Sequence, residues 1–147
     1  MCDKPCVFCD IVSGKSKARV IMENELAMVI LDIHPFSSGH CLAIPKRHVP
    51  WWHQMTEEEN AALFTLAHRA ANKLMKTFGS DFICMYARGK RIPHTHIFLV
   101  PSHEGDVLDR FYNAMEKFQE APKELSRISS PESLDETAEK LKGTSVN

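Results

Sequence analysis

The 147-residue sequence has no long apolar run and no excess of charge of either sign. No stretch approaches the roughly 20 apolar residues that a membrane-spanning helix needs, and no segment resembles the apolar part of a signal peptide. We therefore expect a cytoplasmic protein with no membrane partner. The formal net charge of −1 gives no reason to expect nucleic-acid binding. Internal repeats and low-complexity segments are also absent, and the length favours one domain.

Charge is nevertheless distributed unevenly along the chain. Residues 1–101 carry 12 basic and 9 acidic side chains, a net charge of +3, whereas residues 102–147 carry 6 and 10, a net charge of −4. The mildly basic first part suits a small anionic ligand better than a polyanion. We expect the five cysteines to be reduced inside a cell, so the pair Cys6-x-x-Cys9 favours metal binding or redox chemistry over a disulfide.

The pattern of apolar residues and turn signals predicts an α+β fold with an antiparallel sheet, one long helix and C-terminal helices. Strands are expected over residues 19–23, 26–32, 40–45, 81–86 and 94–100. The linkers at 24–25 and 87–93 are too short for helical crossovers, and the first two strands are expected to form a hairpin at Asn24-Glu25. The long helix is expected over 57–78, because Thr56 and Glu59 form a capping box and Gly79 follows the last apolar position.

Beyond Pro101 the pattern becomes helical. Apolar residues at helical spacing predict an amphipathic helix from Val107 that ends near Pro122, and a last helix from Ser130 that closes at Gly143. We expect most of this tail to be packed and only residues 144–147 to be frayed. The chain is interpreted as a single domain over 1–147, with a core of about 5–113 and a helical extension of about 114–143.

Two histidines, His94 and His96, stand one residue apart in a run of strand-forming residues. Alternation along a strand places both on one face together with Phe98, at the position where a third histidine would complete a triad. Neutral imidazoles serve as metal ligands, nucleophiles or bases, and a strand would hold the pair rigidly. A half-buried polar face or an adventitious metal site would give the same pattern.

Other polar and apolar residues could face the same cleft. Three cations precede the histidines: Arg88, Lys90 and Arg91. They could attract a phosphate group, although a solvated basic loop is the commoner arrangement. Asp32 ends an apolar strand, where a carboxylate either accepts from a ribose hydroxyl pair or caps the next loop. His40 starts the following strand, and Phe8 and Ile11 are as suited to a core as to a ligand platform.

The cysteine pair is a candidate metal site. Cys6 and Cys9 have a spacing that lets both thiolates reach one ion, but a tetrahedral site needs two more ligands. His48 and His94 are the available histidines, and two cysteines with two histidines make a closed, structural type of zinc site. The alternative is a pair of surface thiols near the N-terminus.

Taken together, these features resemble the histidine-triad (HIT) family of nucleotide hydrolases and transferases. The resemblance covers residues 5–142, and its motifs come in family order. They are CVFCDIV at 6–12, ILDIHP at 30–35, GHCLAIPKRH at 39–48, PHTH at 93–96, and a closing helix of the bacterial-type branch at 130–140.

The resemblance implies a catalytic site and a zinc site. His96 matches the histidine whose imidazole attacks the α-phosphate of a nucleotide, forming a nucleotidyl-histidine that water hydrolyses. His94 matches the first histidine, whose backbone carbonyl orients the nucleophile. In family members with Cys-x-x-Cys, the side chain of that first histidine also completes a zinc site, which here implies Cys6, Cys9, His48 and His94 as ligands of one structural zinc per chain.

The resemblance also implies a purine nucleotide (AMP-like) ligand and a homodimer. The implied nucleotide-binding residues are Asp32 for the ribose, His40 in the cleft, Phe8 and Ile11 around the base, and Arg88, Lys90 and Arg91 near the phosphate. The leading interpretation is a hydrolase of nucleoside phosphoramidates or similar AMP derivatives.

The sequence departs from the family pattern at Phe98, where the family has a histidine or sometimes a glutamine that donates to the phosphate. Loss of one such donor typically lowers the rate about 10²–10³-fold. The loop at 86–91 is also shorter than usual and lacks asparagine and serine-like donors. Two alternatives therefore stay open: a zinc-stabilised nucleotide-binding or interaction module with little catalysis, and a dinucleoside polyphosphate hydrolase.

Overall fold

The computed structural model describes residues 5–120, 123–126 and 128–145. Among these residues, those up to Asp106 form one compact unit and those from Val107 form a second. The single-domain interpretation, with its boundary near residue 113, stays a prediction. No helix in the described ranges is long and apolar enough to cross a membrane.

The first unit is built on a five-stranded antiparallel sheet with the strand order β1-β2-β3-β5-β4. The strands are β1 (Val20–Glu23), β2 (Ala27–Leu31), β3 (Cys41–Pro45), β4 (Phe82–Tyr86) and β5 (Ile97–Ser102). The predicted hairpin joins β1 to β2, where the Oδ1 of Asn24 accepts from the backbone N–H groups of Leu26 and Ala27 at 3.0 and 2.7 Å. The predicted α+β fold with an antiparallel sheet is confirmed.

One face of the sheet is covered by the long helix α2 (Glu57–Phe78), whose bounds are those predicted. Both halves of the capping box form: the hydroxyl of Thr56 accepts from the N–H of Glu59 at 3.2 Å, and the carboxylate of Glu59 accepts from the N–H of Thr56 at 2.9 Å. Buried α2 side chains, including Leu63 and Leu66, share a core with the side chains of Val29, Ala43, Ile97 and Leu99.

The other face of the sheet carries a second core and a helix that the sequence did not predict, α1 (Val7–Val12). Phe8 of α1 packs with Met28 and Ile30 of β2 and with Leu42 and Ile44 of β3. Cys6 belongs to the same cluster, and Phe98 is partly buried against it. The N-terminal segment is therefore anchored on the face toward which Phe98 points.

Strand β5 begins three residues later than predicted, at Ile97 instead of His94. The register pairs Ala43 with Ile97, so continued pairing would set Thr95 opposite Pro45, which has no N–H to donate. The N–H of Thr95 instead donates to the carbonyl of Val49 at 2.6 Å. Both histidines therefore lie just before the regular strand, where their ring and backbone groups can bond elsewhere.

The second unit contains α3 (Val107–Glu120), α4 (Lys123–Ser126) and α5 (Pro131–Lys142). The last helix begins where it was predicted, and the hydroxyl of Ser130 caps it by accepting from the N–H of Ser133 at 3.2 Å. The predicted end of the first tail helix near Pro122 and the last two frayed residues, 146–147, lie outside the described residues. Phe111, Phe118 and Leu141 are exposed, so the packing expected of the tail is not present at these side chains.

Candidate active site and metal centre

Four predicted metal ligands converge beneath the N-terminal helix. The Sγ of Cys9 lies 3.2 Å from the Nδ1 of His48 and 3.6 Å from the Nδ1 of His94, and the Sγ of Cys6 lies 3.5 Å from the same His94 nitrogen. All four donor atoms lie within 4.8 Å of one another. The predicted assembly of these four side chains into one cluster that could hold a metal ion is confirmed.

The donor set fits a tetrahedral zinc ion. Zinc bonds of about 2.3 Å to sulfur and about 2.0 Å to nitrogen place sulfur and nitrogen donors about 3.6 Å apart at tetrahedral angles. Three of the four sulfur–nitrogen distances, at 3.2–3.6 Å, match that spacing closely, and the fourth is within 4.8 Å. Cys6 and His94 are buried, and four protein donors would leave no open position. A closed site of this kind supports the fold and takes no part in a chemical step.

The ring of His94 is oriented for this role by the end of β3. Its Nε2–H donates to the carbonyl of Pro45 at 2.9 Å, so the lone pair is on Nδ1, facing the two cysteine sulfurs. Burial lowers the pKa of His94 to about 4, which keeps the ring neutral at pH 7. The carbonyl of Pro45 thus fixes the tautomer of the His94 ring. In this tautomer Nδ1 carries the lone pair that a metal ion requires.

The loop that carries His48 is tied to the start of α2. The neighbouring residue Arg47 donates from Nε and, at 2.7 Å, from its terminal nitrogen to the carboxylate of Glu59. These hydrogen bonds lower the pKa of Glu59 to about 2, so the carboxylate stays ionised. Glu59 therefore caps α2 and positions the segment next to a metal ligand.

The other histidine of the pair, His96, is held in one tautomer. Its Nδ1 lies 2.7 Å from the backbone carbonyl of His94, which can only accept, so Nδ1 carries the proton. The lone pair of the neutral ring is then on Nε2. His96 is buried apart from 7% of its surface, and Phe8 packs against it and against His94 with ring centroids 5.2 and 5.6 Å away. The result is a rigid imidazole with one nitrogen available as a nucleophile.

Asp32 and His40 lie together beyond the ends of β2 and β3. The Oδ1 of Asp32 accepts from the N–H of His34 at 2.8 Å, and its Oδ2 lies 3.6 Å from the Nε2 of His40. The Nδ1 of His40 accepts from the N–H of Phe36 at 3.2 Å, which places the His40 proton on the nitrogen facing Asp32. Burial lowers the pKa of His40, while the charge of Asp32 opposes that shift.

Phe98 lies between these groups. Its ring centroid is 5.1 Å from that of His96 and 5.6 Å from that of His40. On its other side Tyr86 of β4, its direct cross-strand partner, stacks on it with centroids 4.5 Å apart and ring planes 7° from parallel. The sequence predicts Tyr86 only as the end of a strand, because no local pattern shows which residue lies opposite Phe98.

In the basic loop at 88–91, Gly89 is the residue that lies next to His96. A Cβ atom on Gly89 would lie 4.0 Å from the Cε1 of His96 and 3.8 Å from the ring of Trp51, and its φ of +55° is one that glycine adopts most easily. The side chains of Arg88, Lys90 and Arg91 are exposed. Ile11 is partly buried in the α1 cluster beside Phe8. The roles predicted for these residues in nucleotide binding stay predictions.

Comparison with known proteins decides the family. A model of the HIT domain matches residues 13–105, which is more than half of the chain. The chain belongs to the HIT family. The matched range contains Asp32, His48 and the His94–His96 pair, whereas the two cysteines precede it.

Curated HIT relatives include named enzymes. Adenylylsulfatase HINT3 of Arabidopsis thaliana is 36% identical over 108 residues, 70% of this chain and 55% of that protein, so the chain spans little more than half of its length. The adenosine 5'-monophosphoramidase hnt1 of Schizosaccharomyces pombe is 33% identical over 98 residues, 67% of this chain and 71% of that protein. These names support a nucleotide hydrolase at the level of the HIT family.

Solved structures of HIT proteins share the fold. A Zn-bound histidine triad family protein from Mycobacterium smegmatis is 36% identical, covers 70% of this chain and 78% of its own, and superposes with a TM-score of 0.64. A HIT family member from Bacillus subtilis covers 98% of this chain and all of its own with a TM-score of 0.77, and its 22% identity limits that likeness to the fold.

Proposed function

We propose that this HIT protein hydrolyses purine nucleotide derivatives at the α-phosphate, most specifically nucleoside phosphoramidates and related AMP derivatives. The observation that carries the proposal is the 2.7 Å hydrogen bond from the Nδ1–H of His96 to the carbonyl of His94. It leaves the Nε2 lone pair of a buried, rigid imidazole as the nucleophile. The relatives named as an adenylylsulfatase and an AMP phosphoramidase support the substrate class.

The proposed reaction has two steps. The Nε2 of His96 attacks phosphorus, a nitrogen–phosphorus bond to the ring forms, and the bond from phosphorus to the leaving amine breaks as the amine takes up a proton from solvent water. The carbonyl of His94 stabilises the positive charge that develops on the ring, because it accepts from Nδ1–H. Water then attacks the same phosphorus and gives up a proton to solvent, the bond from phosphorus to Nε2 breaks, AMP is released, and the His96 ring returns to its neutral form.

The remaining site residues are assigned by position. Asp32, whose Oδ2 faces His40, would accept from the ribose hydroxyls, and His40 would keep that carboxylate in place. Phe8 and Ile11 would line the base, and Arg88, Lys90 and Arg91 would attract the phosphate. A group that is transferred between oxyanions needs such cationic or N–H donors nearby.

We further propose that the cluster of Cys6, Cys9, His48 and His94 binds one structural zinc ion. The sulfur–nitrogen distances support zinc, as does the Zn-bound relative from Mycobacterium smegmatis. Zinc there would link α1 to the segment that carries His96. Its contribution is structural, since the four protein donors complete a tetrahedral shell.

A nucleotide-binding module with little catalysis is the second candidate. One observation favours it: the ring of Phe98, 5.1 Å from that of His96, offers no hydrogen-bond donor to a phosphate. Hydrolysis of dinucleoside polyphosphates is a third candidate, and a panel of substrates separates it from phosphoramidate hydrolysis.

Incubation with adenosine 5'-phosphoramidate tests the proposal directly. We expect AMP and ammonia in equal amounts and, in protein quenched within one turnover, a mass increase of one adenylyl group on His96. Chromatography of the nucleotides and mass spectrometry of the quenched chain measure both. Tight binding of AMP with no AMP release from any substrate would favour the binding module instead.

We also propose that the chain forms a homodimer through the edge of the sheet. Strand β4 is an edge strand, and its outer side pairs with no other strand in the described part of the chain. Phe82 and Met85 of β4 are 40% and 54% exposed. An open apolar cleft of about 270 Å³ adjoins Met85 and is lined by Trp52, Phe64, Met85, Tyr86, Ala87 and Ile97. Unpaired edges flanked by apolar surface are usual sites of association.

A charge on this edge is expected to dissociate the dimer. Met85→Lys should shift the mass measured by light scattering from two chains to one, because burying the ammonium group in an apolar interface is costly. Val20→Lys, on the opposite edge strand β1, is the matched control and should remain dimeric. A monomeric wild-type protein at micromolar concentration would contradict the proposal.

A further inference from the structure

The proposed reaction places developing negative charge on the α-phosphate, and a donor beside His96 is worth a large factor in rate. Phe98 occupies the position two residues beyond His96 on the same face, where it contacts both His96 and His40. An aromatic hydrocarbon cannot donate a hydrogen bond there. Either another side chain supplies the donor or the site lacks one.

Tyr86 is the polar residue that lies directly beside Phe98. The two are cross-strand partners in β4 and β5, so both side chains rise from the same face of the sheet. Their rings are stacked, with planes 7° apart and centroids separated by 4.5 Å. Phe98 in turn contacts His96, so the phenol of Tyr86 is separated from the nucleophile by one aromatic ring.

We propose that the hydroxyl of Tyr86 donates a hydrogen bond to a non-bridging oxygen of the α-phosphate, the task that Phe98 cannot perform. The inference rests on the proposed phosphoramidase-type function and adds a catalytic residue to it. No proton is transferred in this contact. The phenol keeps its O–H bond while the bond from phosphorus to the leaving group is replaced first by one to His96 and then by one to water.

The surroundings of Tyr86 keep its hydroxyl protonated. Burial raises the pKa of this phenol, and the charges of Cys84 and Asp32 raise it further. Tyr86 therefore remains a hydrogen-bond donor at neutral and mildly alkaline pH. The charge of Asp32 acts on the phenol, so this carboxylate lies in the neighbourhood of Tyr86.

The variant Tyr86→Phe tests the assignment, because it removes the hydroxyl and keeps the stacked ring. We expect kcat for adenosine 5'-phosphoramidate to fall about 10²–10³-fold, the usual cost of one phosphate or oxyanion donor, with KM changed much less. Tyr112→Phe removes the hydroxyl of the other tyrosine, on α3, and should leave kcat as in the wild type. Thermal unfolding checks that all variants are folded.

Testing Tyr86→Phe in a second variant background distinguishes a hydrogen-bonding role of Tyr86 from a packing role. In the variant Phe98→His the new imidazole can donate to the phosphate, so adding Tyr86→Phe to it should lower kcat less than about 10-fold. An equal loss in both backgrounds would assign Tyr86 to packing and overturn the proposal, as would a fully active Tyr86→Phe enzyme. Failure of the proposed function itself would be recognised differently, since the wild-type protein would then release no AMP and form no adenylylated His96.

Discussion

Replacing His96 by alanine is expected to lower the rate of AMP release from adenosine 5'-phosphoramidate about 10⁴-fold or more. The reason is geometric. Nδ1 of His96 donates to the carbonyl of His94, so Nε2 carries the lone pair that would attack phosphorus. Alanine has no nucleophilic atom, so no nucleotidyl intermediate can form and water would have to attack the phosphorus directly.

Binding and chemistry should separate in this variant. His96→Ala is expected to bind AMP within several-fold of the wild type by calorimetry, and quenched samples should show no adenylyl adduct. His68→Ala is the control, because His68 is an exposed residue of α2. A His96→Ala protein that keeps wild-type turnover would rule out the covalent route, and an adduct on a different residue would move the nucleophile elsewhere.

Removing the metal, or one of its ligands, is expected to have the largest effect on stability. Cys9→Ser takes one thiolate from a closed set of four donors, so the remaining ligands lose most of their affinity for zinc. The domain has a sheet and two apolar cores of its own, so the protein should stay folded but lose several kcal/mol, a fall in Tm of about 10 °C or more.

Metal analysis measures the zinc content of each protein, and calorimetry measures its Tm. Wild-type protein should contain one zinc ion per chain, and extraction by a strong chelator should lower its Tm to near that of Cys9→Ser. Cys84→Ser is the matched control, since Cys84 lies on β4 and outside the metal cluster, and it should keep both the zinc and the Tm. Metal-free wild-type protein with an unchanged Tm would contradict a structural role.

Activity should also fall in metal-free protein, but indirectly. The His94 ring is held between the cysteine sulfurs and the carbonyl of Pro45, and its own backbone carbonyl orients His96. Loosening His94 therefore disturbs the hydrogen bond that keeps Nε2 of His96 available. One residue couples the stability of the N-terminal anchor to the geometry of the nucleophile.

Local sequence signals were sufficient to predict the bounds of elements that end at capping or turn residues. The helix α2 runs from Glu57 to Phe78 because Thr56 and Glu59 cap its first turn and Gly79 follows in a left-handed conformation. The hairpin at Asn24 was likewise readable, since an asparagine can bond the turn that follows it. The start of β5 could not be predicted from local sequence, because it depends on the missing N–H of Pro45, a residue 49 positions from His94.

The sequence by itself determined the family motifs, the α+β fold and the four candidate ligands Cys6, Cys9, His48 and His94. These are patterns of residue type and short spacing, which the chain carries whatever its conformation. Only the tertiary structure decided that the sulfurs and imidazoles lie within 4.8 Å of one another, that α1 exists, and that Tyr86 stacks on Phe98. Those facts depend on strand order and cross-strand register, which bring distant parts of the chain into contact.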